Sequence, residues 1–134
     1  MDHKFLQDGI SAMSAGATTL NGWSLGILGA TVAGIVAGHF LRPGAKARWL
    51  YLLFIPGWVL LGLSIWYGDK VTRRLAASGF TEDHERLRQI AELMNSEYAA
   101  QRALFEFALL VFGCWLVCLL LWWVFADETF KQST

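Results

Sequence analysis

The sequence predicts an all-α integral membrane protein: three transmembrane helices, with an amphipathic helical hairpin outside the bilayer between spans 2 and 3. Three observations carry this reading. No Asp, Glu, Lys or Arg occurs in residues 9–41, 49–68 or 107–126, windows of 33, 20 and 20 residues, and a spanning helix needs roughly 20. The chain is 55% hydrophobic with a mean hydropathy of +0.41, too apolar for an ordinary water-soluble domain of 134 residues. Aromatic residues gather at the ends of the windows, at Trp49 and Tyr51, Trp66 and Tyr67, and Trp122 and Trp123, the level at which amphipathic rings sit among lipid headgroups.

The chain reads as a single membrane domain. Residues 1–17 mix Phe5, Leu6, Ile10 and Met13 with small and polar residues, which fits either a lead-in or a short helix lying on the membrane surface. One Lys against two Asp in the first eight residues, with no immediate apolar core, is not the pattern of a cleavable signal peptide. Span 1 is therefore expected to be retained. It covers residues 18–41, with Trp23 anchoring one end and His39 with Arg42 the other, and Arg42-Pro43-Gly44 stops it.

Span 2 covers residues 49–68. Pro56-Gly57 falls near its middle, and a proline there removes a backbone hydrogen bond and clashes with the preceding turn, so a kink is expected. The hairpin occupies residues 69–103. Gly79 is its expected left-handed cap, Thr81 the N-cap of the second arm, and Glu82 and Asp83 favour that arm's dipole. Glu82 is spaced to pair with Arg86 on the wet face, while Leu87, Ile90, Ala91, Met94 and Tyr98 share one packing stripe. Span 3 covers residues 104–126 and a tail follows at 127–134. An unbroken helix over 82–126 would be about 68 Å long. Either it bends near Asn95-Ser96 or its excess packs on a neighbouring subunit, and the unpaired stripe favours the neighbour.

Charge excludes one class of partner. Eleven cations balance eleven anions, so there is no basic field to hold nucleic acid. On the amino-terminal side lie Lys4, Lys70, Arg73, Arg74, Arg86, Arg88 and Arg102, against Arg42, Lys46, Arg48 and Lys131 on the other. The excess places the amino terminus and hairpin in the cytoplasm, with a bacterial-type inner membrane as the location. The short basic connection after span 1 argues the other way.

The most specific pattern is a ladder in span 1. Gly22, Gly26, Ala30, Gly34 and Gly38 recur at every fourth residue, with Gly29, Ala33 and Ala37 as a second small row beside it. Residues four apart drift slowly around a helix, so the ladder is expected to form one nearly flat stripe. Glycine costs about 1 kcal/mol of helix propensity relative to alanine, and close helix approach is the compensation that GxxxG spacing allows. Spans 2 and 3 are bulkier, which suits an outer layer around span 1 of several copies. Asn21 at one end and His39 or Arg42 at the other would then be pore-mouth candidates. Glu106 is a further one, although it is also spaced to pair with Arg102 one turn earlier.

No catalytic arrangement is visible, and no cofactor motif. Cys114 and Cys118 lie one turn apart, but no third Cys or His shares their span, so they read as small buried hydrophobes rather than metal ligands. His39 reads as a solvated interfacial side chain. The expected function is that of a non-enzymatic homo-oligomer in the lipid bilayer, a channel or pore with span 1 innermost. The second reading is a structural or accessory subunit docking through span 1 on other membrane subunits.

Overall fold

The computed structural model describes residues 3–40, 51–79 and 83–131, apart from the side chains at 3, 38–40, 123 and 126–131. The described chain consists of α1 (His3–Phe40), α2 (Phe54–Ser78) and α3 (His84–Lys131). At 38, 25 and 48 residues they are about 57, 38 and 72 Å long. All three are long and apolar enough to cross a membrane.

A single spacing rule explains how such long rods stay in contact. The buried residues of α2 are Phe54, Gly57, Leu61, Ser64, Gly68 and Val71, alternating steps of three and four. On α3 the same alternation runs through Leu87, Met94, Gln101, Phe105 and Ala108, all buried, with Ala91 and Tyr98 between them and Phe112 one step beyond. A mean step of 3.5 keeps one seam turned toward the neighbouring helices instead of winding away from them. The helices alternate in direction, so the amino-terminal part of α1 lies beside the end of α2 and the start of α3.

The seam holds two apolar clusters. In the half of the molecule that carries most of the charge, Ile10 and Ala17 of α1 meet Val71 of α2 and Met94 of α3, with Met13, Leu75, Ile90, Ala91 and Tyr98 packed around them. In the more apolar half, Leu61, Phe105 and Ala108 form the centre, with Leu20, Ile27, Leu28, Leu60 and Phe112 against it. Gly16 admits Tyr98, whose hydroxyl would stand 2.6 Å from any Cβ added there, and Gly57 admits the Phe112 ring in the same way. Arg74 and Glu97 tie α2 to α3 through two hydrogen bonds of 2.6 and 2.9 Å. The hydrogen bond to Glu97 raises the Arg74 pKa, so the guanidinium stays charged throughout the physiological pH range.

Several expectations are corrected. Residues from His3 onward are the first turns of α1, continuous with span 1, and not a separate surface helix. They cover the stripe of α3, so Leu87, Ile90, Met94 and Tyr98 have their packing partner within the chain and need no neighbouring subunit. Helix α3 continues through Asn95-Ser96 without interruption. Pro56 does not interrupt the middle of a helix, because the α-helical part of span 2 begins at Phe54 after a 3₁₀ turn over 51–53. Pro56 thus falls in the first turn, where a missing N–H costs nothing. Gly79 closes α2 with right-handed geometry, φ −65° and ψ −15°, its N–H donating to Leu75 and not adopting a left-handed cap. Asp83 starts α3: its carboxylate accepts from the Glu85 N–H at 3.1 Å and its carbonyl from Leu87. Thr81 and Glu82 lie outside the described residues. Cys114 and Cys118 are exposed on the outer face of α3, not buried.

Candidate functional site

Between the two apolar clusters lies a polar layer. Gln101 is fully buried, and its amide nitrogen donates to the Ala17 carbonyl at 3.1 Å and to Asn21 Oδ1 at 3.0 Å. The Ser64 hydroxyl, also fully buried, donates to the Gln101 backbone carbonyl at 3.0 Å. Gly68 makes this possible, since a Cβ there would collide with both amides. Gln101 Oε1 in the layer, and Ser24 Oγ three residues past Asn21 on α1, are buried without a hydrogen-bond partner among the described residues. Asp69 and Lys70 adjoin it on α2, and on α3 the exposed Arg102–Glu106 pair carries charge about one turn past it. Lys70 stands 3.7 Å over the Trp66 ring, a cation–π contact that reinforces the boundary.

Beyond the layer, α1 departs from the bundle on one flank. Ile27, Leu28, Thr31 and Ile35 remain half-buried, whereas Gly22, Gly26, Gly29, Ala33 and Ala37 are exposed. A Cβ added at Gly22, Gly26 or Gly29 would meet no atom within 4 Å. The ladder does not form a single flat stripe. Each four-residue step advances about 40° around the axis, so Gly34 sits about 120° from Gly22. Gly22 and Gly26 point away from the bundle together with the second small row, while Ala30 and Gly34 turn toward a cavity. Gly38 and His39 belong to the last turn of α1; their surroundings, and Arg42, lie outside the described residues.

The cavity has a volume of about 370 Å³. Ile27, Ala30, Thr31, Gly34 and Ile35 make one wall, in which Gly34 has open space where a Cβ would stand. The opposite wall is aromatic: Tyr51, Phe54, Phe112 and Trp115. Phe54 is the centre of that wall, with ring centroids at 4.6 Å to Trp115, 5.5 Å to Phe112 and 5.8 Å to Tyr51. Trp58 fixes the α1 side by donating to Thr31 Oγ1 at 2.9 Å. No charged residue lines the space. The Trp115 indole nitrogen is buried and has no hydrogen-bond partner among the described residues.

No known protein family, curated protein or solved structure matches this chain. Its site must therefore be read from its own residues. Among the described residues no group of His, Cys, Asp and Glu could hold a metal ion. Of the pore-mouth candidates, Asn21 is held inside the polar layer. Glu106 lies exposed on α3 and pairs with Arg102 at 2.8 Å. The cavity was not among the sequence candidates, because its walls come from three helices. The signal that could have found the polar layer was present: the seam of α3 continues past Tyr98 through Gln101 at the same spacing, and a glutamine in a packing seam requires a partner.

Proposed function

We propose that this protein acts as a homo-oligomer in a lipid bilayer, assembled through the outward face of α1. The uncharged halves of the three helices occupy the bilayer. The charged halves form a three-helix body outside it, with the polar layer and the Arg102–Glu106 pair at the boundary and, by the excess of positive charge, on the cytoplasmic side. The observation that carries the reading is the bare face at Gly22, Gly26 and Gly29, where added side chains would touch nothing in the same chain. Three other glycines, at 16, 57 and 68, are already occupied by packing within the chain. Lipid gives no hydrophobic drive for helix association, and small residues allow the close backbone approach that replaces it. Gly29, Ala33 and Ala37 extend the face toward the far end of the span. A channel along the axis of such an assembly is its finer form, with small residues and exposed backbone nearest the axis.

The test is the mass of the purified chain in detergent, with Gly26→Leu as the disruptive variant. A multimer that Gly26→Leu converts to monomer supports the reading, and a monomeric native chain removes it in favour of a face that docks on a different membrane subunit. Conductance of the purified multimer in planar bilayers separates a channel from a closed scaffold.

A further inference from the structure

We propose that the outward face of α2, where Lys70 lies over Trp66, binds the headgroup of an anionic phospholipid, with one acyl chain running past Gly62. The inference rests on the preceding reading in one respect only, that the more apolar half of the molecule lies in a bilayer. Lys70 stands two residues past Gly68 of the polar layer, about 3 Å of helical rise, which puts it at the level of the lipid headgroups. A lysine at a membrane edge ordinarily extends its ammonium toward water. This one folds back over Trp66, 3.7 Å from that ring centroid and 5.2 Å from the centroid of Tyr67. Trp66 precedes it by four residues and so lies about 6 Å nearer the hydrocarbon. The rings hold the cation but supply no counter-charge. Arg73, Arg74 and Arg102 each pair with a carboxylate, whereas Lys70 has no such partner among the described residues. A lipid phosphate is the anion that a bilayer supplies at that level.

The rest of the same face decides between lipid classes. Val59, Gly62, Trp66, Lys70 and Arg73 follow one another in steps of three and four and lie opposite the buried seam of α2. Arg73 stands one turn outward of Lys70, with the half-exposed Asp69 as its partner. Two cations and one carboxylate leave this part of the face with an excess of positive charge. A zwitterionic headgroup brings its own cation against Arg73, while a phosphatidylglycerol headgroup brings the phosphate alone, so the excess favours the anionic lipid. Below the cations the face opens. Trp66 is exposed, and a Cβ added at Gly62, one turn deeper, would meet no atom within 4 Å. The helix surface is therefore notched beside the Trp66 ring, and an acyl chain hanging from a phosphate at Lys70 lies along that notch toward Val59.

The experiment is native mass spectrometry of the full-length protein in detergent with equimolar dioleoylphosphatidylglycerol and dioleoylphosphatidylcholine, counting each lipid retained per chain. Preferential retention of phosphatidylglycerol is expected for the native chain. Lys70→Gln should lower that preference about fivefold with the helical content unchanged. Arg88→Gln, which removes the same charge from the body far from the boundary, should leave it intact. Gly62→Leu fills the notch and should weaken retention of both lipids while keeping the preference. Gly26→Leu should retain the preference even as a dissociated chain, which separates failure of this site from failure of the assembly. Equal retention of the two lipids by the native chain, an undiminished preference in Lys70→Gln, or an equal loss in Arg88→Gln overturns the proposal. Reconstitution of the native chain into phosphatidylcholine vesicles tests the membrane reading separately. A chain that resists carbonate extraction but shows no lipid preference loses only this site, and one that is extracted loses both.

Discussion

Gly68 is a close-packed position, because two side-chain amides from different helices lie against it. Overpacking at such a contact costs about 1–3 kcal/mol, so Gly68→Ala is expected to lower the thermal midpoint of the detergent-solubilised protein. Combining it with Asn21→Ala should restore part of the loss, since the two positions share one space and their effects cannot add. Unchanged stability in Gly68→Ala would mean that the layer is looser than the hydrogen bonds of Gln101 imply. Arg74 offers a contrast in kind. Its partner Glu97 is only 11% exposed while Arg74 is 36% exposed. Arg74→Ala therefore strands a carboxylate that is nearly buried, but solvent screening around the arginine limits the cost to about 1–2 kcal/mol. Removal of the exposed Arg88–Glu92 pair should be close to neutral in the same melting experiment, being a solvated pair within one helix.

At the scale of the helix, what one chain of letters reveals is a face, and what it conceals is the surface that covers that face. The stripe Leu87, Ile90, Met94, Tyr98 was legible from spacing alone. That α1 of the same chain covers it was not, because Ile10, Met13 and Ala17 lie seventy or more residues away and small residues beside them dilute their periodicity. The ladder of α1 misleads for a geometric reason: a four-residue step is close to one turn but not equal to it, and over three steps the small error rotates Gly34 out of the plane of Gly22. Pro56 misleads because a charge-free window locates a membrane crossing, not a helix start. These points make the amino-terminal half of α1 a structural element in its own right. Met94→Ala, at the centre of the cluster it helps to close, is expected to cost about 2–5 kcal/mol. Deleting residues 1–17 should expose the same cluster, reading out as increased binding of a hydrophobic dye and loss of monodisperse material.

For the molecule as a whole, the arrangement of the helices makes a claim about sidedness that the individual spans do not. Helices that alternate in direction bring the start of α1, the end of α2 and the start of α3 to one end, so in the proposed setting Ser11, Ala76 and Ser96, all exposed, share one aqueous compartment. Cys114 and Cys118 are exposed to the surroundings of the protein, and in the proposed setting those surroundings are lipid. A charged reagent must give up its hydration to reach a side chain surrounded by hydrocarbon. A charged maleimide applied to sealed membrane vesicles should therefore leave the native cysteines unmodified until detergent is added. In a Cys114→Ala, Cys118→Ala background, Ser11→Cys, Ala76→Cys and Ser96→Cys should all label from the same side, the cytoplasmic face if the excess of positive charge sets the orientation. Labelling of the three from different sides would separate the charged ends of the helices and dismantle the three-helix body, whereas labelling of all three from the outer face would keep that body and reverse only the orientation.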